Sequence, residues 1–565
     1  MRAFRRETVL YGLALVVGLT VRFAALGALP LTDTEAKWAL QALGIANGTR
    51  PALGSNSAYV LLTSILFFAY GGATNALARL TPALAGSAFV LVPVLFKQRL
   101  KPRAALILAF AIALEPGLVA LSRQAGSSIL TITFALAAWG FWEQRRISGT
   151  GICAGLALLS GSALWVGLLG LILTWAIWQP FARGGQAPGQ DQPRRPERRE
   201  WLEALWFALA TMALVGTLFV LAPSGVSAWL SGLPEYIRGW VRASNIPAGL
   251  MAFSLAAYQP LGVILALVAT IRGWVRGGRR VRLLSIWLVV SLMLSLFYPD
   301  RQITDLGWTL IPLWALASLE VARSLNVRPE ERREVLGTVA LSFVILVFIW
   351  LNFLGLTQFS GLPDQAQART WLIFGSFFLL VMSLLLVAVG WSARIARFGA
   401  IWGLVAAAAV YSLAATMSAA GLRQMPDAVD MWRPGGTLPE SDLLLASVHN
   451  MSDWSDLNVN AQPVTIVGIS SPALEWLFHE QTVIVQDAVS PTEAAPMVVA
   501  VNRDDPVLAP RYRGQSFVWR RTPLWEQTGI GNWLDWATFH QLPQQSEMII
   551  LWVRNDLFLD ARPEP

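Results

Sequence analysis

Apolar runs long enough to cross a bilayer alternate with short polar segments over residues 1–419. The hydrocarbon core of a membrane takes about 20 apolar residues of helix, and the runs predict a polytopic α-helical membrane domain of about 13 spans. The 150–179 run is long enough for a hairpin of two spans. The predicted spans are 8–28, 75–96, 104–121, 128–144, 150–179, 202–222, 249–271, 282–298, 304–323, 335–356, 369–391 and 397–418.

Short clusters of basic residues separate these runs and predict the sidedness, because cytoplasmic loops are enriched in Lys and Arg. With an odd number of spans, they predict a cytoplasmic N-terminus and an extracytoplasmic C-terminus in the plasma membrane. The clusters are Arg2–Arg6, Lys97–Arg103, Arg145–Arg146, the Pro- and Gly-rich loop 181–201, Arg272–Arg282, Arg323–Arg333 and Arg394–Arg397.

One apolar segment does not fit as a span. Ser57–Gly71 is short, and counting it would put a basic loop on the wrong side of the membrane. We interpret it as an interfacial or re-entrant helix. The external loop 29–74 is then predicted to carry two juxtamembrane helices, at about 35–47 and 57–71.

The composition becomes polar after residue 419, and residues 420–565 hold all three histidines. Alternating and short apolar runs predict a soluble, extracytoplasmic α/β domain large enough for its own core. The predicted strands are Val464–Gly468, Thr482–Gln486, Met497–Val501 and Met548–Val553, with a helix at Pro472–His479.

Composition supports the membrane class and narrows the chemistry. Charged residues make up 14% of the chain, against about 25% in soluble proteins. The net charge of +8 lies in the clusters between spans, which argues against a nucleic-acid partner. Cys153 is the single cysteine, so an intrachain disulfide is excluded. The sequence has no P-loop and no metal-ligand spacing, so we expect no metal and no cofactor.

The first external loop carries two acids, Asp33 and Glu35, at the start of a predicted helix that includes Trp38. A carboxylate at the outer membrane surface suits a general base, because it is within reach of a lipid carrier and a water-borne acceptor. The structural alternative is also open. Thr32 followed by Glu35 is a capping-box pattern, and acids in a first turn favour the helix dipole.

Two further external segments carry arginines suited to a phosphate group. Arg123 follows a span whose interior holds Glu115, an acid that we interpret as a partner for Arg123 or as a functional group. Arg301 follows Tyr298 between two later spans. Snorkelling to lipid head-groups explains Arg123 equally well, and a surface Asp–Arg element explains Arg301.

These motifs resemble the glycosyltransferase-C superfamily, in its protein O-mannosyltransferase-like and aminoarabinose-transferase-like branches. Those families place an Asp-Glu pair, then Ala, an aromatic residue and Ala-Leu, in the first external loop. Here Glu35 to Leu40 match from the second acid onward, while Thr34 stands in the place of the first. The Ser122-Arg123 pair also matches, but Ser128 replaces an expected Asp. The likeness covers residues 1–180 best.

The resemblance implies a membrane glycosyltransferase that moves a sugar from a polyprenyl-phosphate donor to a glycan, lipid or protein acceptor on the outer face. It implies a base at Asp33 or Glu35 and phosphate binding by Arg123 and Arg301. Trp38, Ser128, Tyr298 and Glu115 are candidates for the substrate pocket. The altered acids also fit a non-catalytic relative that acts as a scaffold in envelope glycan assembly. A lipid-linked glycan transporter ranks third, because no clear internal repeat is visible.

Overall fold

The helical part of the chain follows the apolar runs. The computed structural model describes residues 2–183, 197–219, 221–244, 246–324, 329–358, 362–423, 428–433, 435–454, 463–488, 495–501, 511–525 and 529–558. Most of the predicted loop 181–201 and the middle of the Arg323–Arg333 cluster lie outside these residues.

Twenty-one α-helices precede the C-terminal unit in the described part of the chain. They are α1 Arg2–Phe23, α2 Asp33–Ala46, α3 Ser57–Tyr70, α4 Asn75–Phe89, α5 Val92–Leu95, α6 Lys97–Leu100, α7 Pro102–Leu114, α8 Pro116–Ser122, α9 Ile129–Glu143, α10 Ile147–Leu158, α11 Ala163–Arg183, α12 Arg198–Gly216, α13 Ser224–Leu230, α14 Gly232–Gly239, α15 Ala248–Tyr258, α16 Pro260–Arg276, α17 Arg279–Phe297, α18 Gly307–Ser324, α19 Arg332–Gln358, α20 Pro363–Gly390 and α21 Ala393–Ala419.

Six helical segments among the described residues are long and apolar enough to cross a membrane, and two bent pairs raise the number to eight if each pair is one span. The six are Asn75–Leu95, Ala163–Phe181, Arg279–Phe297, Arg332–Gln358, Pro363–Gly390 and Ala393–Ala419. The polytopic class is confirmed, whereas the predicted count of about 13 spans is not. Helix α20 leaves most of its apolar side chains exposed, as a lipid-facing helix does.

The two bent pairs break at proline. Helices α7 and α8 meet at 59°, with Pro116 at the start of α8, and α15 and α16 meet at 94°, with Pro260 at the start of α16. Proline has no backbone N–H and clashes with the preceding turn, so it is tolerated at a first helical position and ends the helix before it. Each break therefore exposes helix ends inside an apolar bundle.

The C-terminal unit is a mixed five-stranded sheet with helices. Its helices are α22 Ser441–Trp454, α23 Pro472–Leu477 and α24 Ile530–Phe539, and its strands are β1 Val464–Val467, β2 Val483–Gln486, β3 Met497–Val501, β4 Tyr512–Pro523 and β5 Gln544–Arg554. The order is β2-β1-β3-β5-β4, with β1 parallel to β2 and β3, and β5 antiparallel to β3 and β4.

The C-terminal unit packs against the first external loop. Helix α23 lies on α2, and the indole of Trp476 donates to Asn75 Oδ1 at 2.8 Å. Imidazole Nε2 of His479 lies 3.2 Å from the carbonyl oxygen of Ala73. On the other side, the Trp536 indole donates to the carbonyl of Val429 at 2.9 Å, in the segment that follows α21.

Candidate functional site

Glu35 is buried at the start of α2 and is held by the protein on both carboxylate oxygens. Arg79 of α4 binds it in a two-pronged ion pair, with Nε–Oε1 and Nη2–Oε2 distances of 2.8 Å each. The amides of Ala125 and Thr32 also donate to it, at 3.0 and 3.1 Å. These bonds hold the pKa of Glu35 below its usual value, although burial alone would raise it. The capping-box interpretation is confirmed.

Asp33, two residues earlier, faces the C-terminal unit. Its carboxylate accepts hydrogen bonds from the Ser471 hydroxyl at 2.6 Å and the Ala473 amide at 3.0 Å. The guanidinium of Arg520 on β4 forms an ion pair with its other oxygen. Asp33 therefore joins α2 to the outer unit, and its predicted role as a base stays a prediction.

The two predicted phosphate ligands bind backbone carbonyls. Arg123 donates to four carbonyls at the C-terminal end of α1, from Val21 to Ala25, at 2.8–3.1 Å. Arg301 donates to the carbonyls of Ile246, Leu296 and Tyr298 at 2.7, 3.3 and 3.5 Å. Both side chains hold chain segments in place, and phosphate binding by either one stays a prediction.

Glu115 occupies the break between α7 and α8. It accepts the backbone N–H of Leu118, which caps α8, and the side-chain amide of Gln259 at 2.5 Å. Gln259 lies at the break between α15 and α16, so this bond joins the two bent pairs. The expected partner, Arg123, bonds instead to the end of α1. The predicted Glu115–Arg123 pair is therefore wrong.

A cavity of about 1260 Å³ lies where helix ends, external loops and the C-terminal unit meet. Five residues predicted from the sequence line it: Glu35, Trp38, Arg123, Ser128 and Tyr298. Its lining does not include the other three predicted site residues, which are Asp33, Glu115 and Arg301. Thr34, which takes the place of the first acid in the resembling families, also lines the cavity.

The segment after α21 supplies three charged cavity residues that the sequence reasoning missed: the exposed Arg423, and Asp430 and Arg433, which are partly buried. Asp430 Oδ1 accepts the Tyr258 hydroxyl at 2.6 Å and the Trp432 amide at 2.9 Å. Its Oδ2 is buried and accepts no hydrogen bond in the described structure. Arg433 lines the same cavity, and burial lowers its pKa. The sequence does hold a signal, because Asp-Met-Trp-Arg, residues 430–433, lies in the polar segment that follows the last apolar run, 397–418.

The Arg433 guanidinium has no hydrogen-bonding partner among the described residues, although Asp430, Arg79 and Glu35 act on it electrostatically. The contrast with Arg123 is direct. Arg123 donates to four carbonyl oxygens, whereas the Arg433 side chain donates to none of the described residues and lines the cavity.

A second acidic residue was missed between α17 and α18. Asp305 lies in a short 3₁₀ helix, Ile303–Leu306, and lines the cavity. Burial, reinforced by the charge of Asp300, raises the pKa of Asp305 to about 7. Beside it, the rings of Tyr236 and Tyr298 stack at 5.3 Å on the same cavity. The acidic residue was overlooked because it stood at the edge of a predicted span.

No group of three or more His, Cys, Asp or Glu residues is placed to hold a metal ion in the part of the chain that the structure describes.

Fold and cavity together define the class: a polytopic membrane protein whose C-terminal α/β unit closes over a charged cavity at the helix ends. The fold is similar to crystal structures of ArnT from Cupriavidus metallidurans. With undecaprenyl phosphate bound, the TM-score is 0.55 at 12% identity, covering 98% of this chain and 99% of that one. The apo state gives 0.51 at 12% identity, with both chains covered completely.

The chain thus shares the fold of these ArnT structures, and the resemblance noted in the sequence is confirmed at the level of fold. An oligosaccharyltransferase from Archaeoglobus fulgidus matches at a TM-score of 0.39 and 13% identity, over 87% of this chain and 68% of that one. No model of a protein family and no curated protein sequence matches the chain.

Proposed function

We propose that this protein is a membrane glycosyltransferase that takes a sugar from a polyprenyl-phosphate donor. The observation that carries the proposal is the cavity, where buried cationic and acidic side chains from three separate parts of the chain meet. The fold adds support, because ArnT is similar along its whole length and was crystallised with undecaprenyl phosphate. The acceptor is a glycan, lipid or protein at the outer face of the plasma membrane.

Arg433 is the group best placed to bind the donor phosphate. Its guanidinium is unpartnered among the described residues and faces a cavity of ample size. Burial disfavours an isolated cation, and an anion in the cavity would offset that cost. A guanidinium also matches the geometry of phosphate oxygens. Arg123 lines the same cavity and adds positive charge while it holds the end of α1.

Binding of undecaprenyl phosphate to the full chain in nanodiscs tests this proposal. Removing a charge-assisted hydrogen bond costs about 1.5–3 kcal/mol, so Arg433→Gln should weaken binding roughly 10- to 150-fold. Arg397→Gln, at an exposed position on α21, is the matched control and should bind normally. Equal affinity of the two variants would remove Arg433 from the site. The failure of the wild type to bind the lipid would contradict the donor class.

Turnover is the second test. The wild type should release undecaprenyl phosphate from at least one member of a panel of undecaprenyl-phosphate hexoses and pentoses. The Asp33→Asn, Glu35→Gln double variant tests the base predicted from the sequence. Full transfer by a folded double variant would rule out both residues as the base.

A non-catalytic scaffold in envelope glycan assembly is the second candidate. Three observations favour it: Thr34 lines the cavity in place of an acid, Asp33 is engaged with the outer unit, and Glu35 is saturated by Arg79 and two amides. This alternative predicts that the protein binds undecaprenyl phosphate but consumes no sugar donor.

A further inference from the structure

We propose that Asp305 is the carboxylate that takes the proton from the acceptor hydroxyl, a role that the sequence motifs predict for Asp33 or Glu35. The inference rests on the proposed function, since it assigns a base for that transfer. It moves the base from the first external loop to the turn between α17 and α18. Three observations support it: Asp305 lines the cavity, one of its two oxygens is free of hydrogen bonds from the described residues, and a neighbouring acid acts on it.

The turn holds Asp305 in a defined orientation. Its Oδ2 accepts the backbone amide of Gln302 at 2.8 Å. The hydroxyl of Ser295 donates to its backbone carbonyl at 3.2 Å, tying the turn to α17. Oδ1 accepts no hydrogen bond from the described residues and is not among their sealed, unpartnered oxygens. One oxygen is thus anchored while the other remains available to a hydroxyl in the cavity.

The start of α18, two residues after Asp305, lies close to the position where the resembling families keep an acid. Ser128 fills that position here, and its buried hydroxyl has no partner in the described structure. The turn reaches it through Gly307, where a methyl group would lie 3.9 Å from Ser128 Oγ. The turn that carries Asp305 therefore leads directly into the helix start that approaches Ser128.

Five other acids line the cavity, and two of them, Glu235 and Asp442, lie at exposed positions. Both oxygens of Glu35 are bound by Arg79 and by backbone amides. Asp430 has one oxygen bound by Tyr258, and its other oxygen is sealed from solvent. Asp300 is less buried, and Arg242 opposes the rise in its pKa.

An acidic group acts on Asp305, and the cations of the neighbouring segments are engaged elsewhere: Arg301 donates to backbone carbonyls, and Arg242 acts on Asp300. Asp300 raises the pKa of Asp305, and the Gln302 amide opposes that rise. The charge of Asp305 in turn contributes to raising the pKa of the Tyr236 and Tyr298 phenols. The turn packs on α15, α17 and α18. Helix α15 has no charged residue, and the charged residues of α17 and α18 lie at their opposite ends: Arg279, Arg280, Arg282, Glu320 and Arg323.

A base with a pKa of about 7 is suited to proton transfer near neutral pH, because it is largely unprotonated and still basic enough to accept a proton. In the step we propose, the acceptor oxygen forms a bond to the anomeric carbon as the bond from that carbon to the phosphate oxygen breaks. The leaving polyprenyl phosphate keeps the electron pair. The hydroxyl proton passes to Oδ1 of Asp305, which later loses it to water.

The test compares Asp305→Asn with wild type for donor consumption and for binding of undecaprenyl phosphate. Asparagine keeps the shape and its oxygen still accepts the Gln302 amide, so the turn is retained. We expect turnover to fall at least about 100-fold, in line with the loss of a general base, with lipid affinity within about twofold. Asp364→Asn, in the exposed first turn of α20, is the matched control.

The pH profile separates a base from a merely structural residue. Wild-type turnover should rise as the pH passes through about 7, because Asp305 must lose its proton first. The residual activity of Asp305→Asn should lack this rise. Turnover within threefold of wild type, or an unchanged profile, would overturn the proposal.

A failure of the proposed function can be distinguished from a failure of the Asp305 assignment. If wild type binds the lipid but consumes no donor of the panel, the transferase proposal fails. Infrared difference titration of wild type against Asp305→Asn then tests the carboxyl directly. A carboxyl band that titrates near pH 7 supports Asp305 as a proton acceptor, and a midpoint near 4 removes it.

Discussion

At the scale of single residues, the Glu35–Arg79 pair gives the sharpest stability prediction. Both side chains are at least nine-tenths buried and bound through two N–O contacts of 2.8 Å. Arg79→Met leaves a buried carboxylate without its cation, which should cost about 3–5 kcal/mol of unfolding free energy. Thermal or denaturant unfolding in detergent measures it. The exposed pair Arg99–Glu143 is the control, and Arg99→Met should cost less than about 1 kcal/mol.

The same pair adds a pH dependence of known sign. The pKa of Glu35 is lowered on folding, so the stability it contributes is present above its ordinary value of about 4.3 and is lost as the pH falls further. Arg79→Met should remove this acid-side loss. The sequence predicted Glu35 as cap or base, but its partner lies 44 positions away, and local pattern carries no information on that contact.

At the scale of elements, a close approach of α8 to the segment after α21 positions Arg433. A methyl group at Gly117 would overlap the ring of Trp432, a fully buried side chain in that segment. Gly117→Ala should therefore displace Trp432 at a cost of about 1–3 kcal/mol. We expect weaker undecaprenyl phosphate binding without a change in Arg433 itself.

Gly337→Ala is the matched control on α19, where a methyl group meets no atom within 4 Å. It should stabilise the helix by about 0.4–1 kcal/mol and leave lipid binding unchanged. Unaltered binding by Gly117→Ala would show that the Trp432 segment adapts without moving Arg433.

Sequence patterns predicted most helices and strands because the length of an apolar run can be read from neighbouring residues alone. Predicted helices at 35–47 and 57–71 correspond to Asp33–Ala46 and Ser57–Tyr70. The breaks at Glu115 and Gln259 were missed because the apolar run continues across each of them. Strand β4 was missed because Tyr512–Pro523 contains three Arg and one Gly, and its pairing with β5 compensates for a weak local preference. The cavity residues Asp305 and Arg433 come together only through tertiary packing.

At the scale of the whole molecule, Asp33 holds the C-terminal unit on the first external loop. Its carboxylate binds Ser471, the Ala473 amide and Arg520, and the same unit covers the cavity with Thr522, Leu524 and Trp525. If Asp33 and Arg520 act through their common ion pair, Asp33→Asn and Arg520→Gln should loosen the C-terminal unit equally. The double variant should then loosen it no further. Each single variant should raise hydrogen exchange in α23 about fivefold, for a contact worth on the order of 1 kcal/mol.

Donor consumption distinguishes this contact from catalysis by Asp33. If the C-terminal unit must stay docked for transfer, both single variants and the double variant should lose activity to the same extent, because each removes the same Asp33–Arg520 ion pair. If Asp33 is instead the base, Asp33→Asn should abolish consumption while Arg520→Gln retains most of it. Asp364→Asn should change neither exchange nor turnover. Equal losses would place the first acid of the external loop in closure of the cavity, and leave proton transfer to a carboxylate inside it.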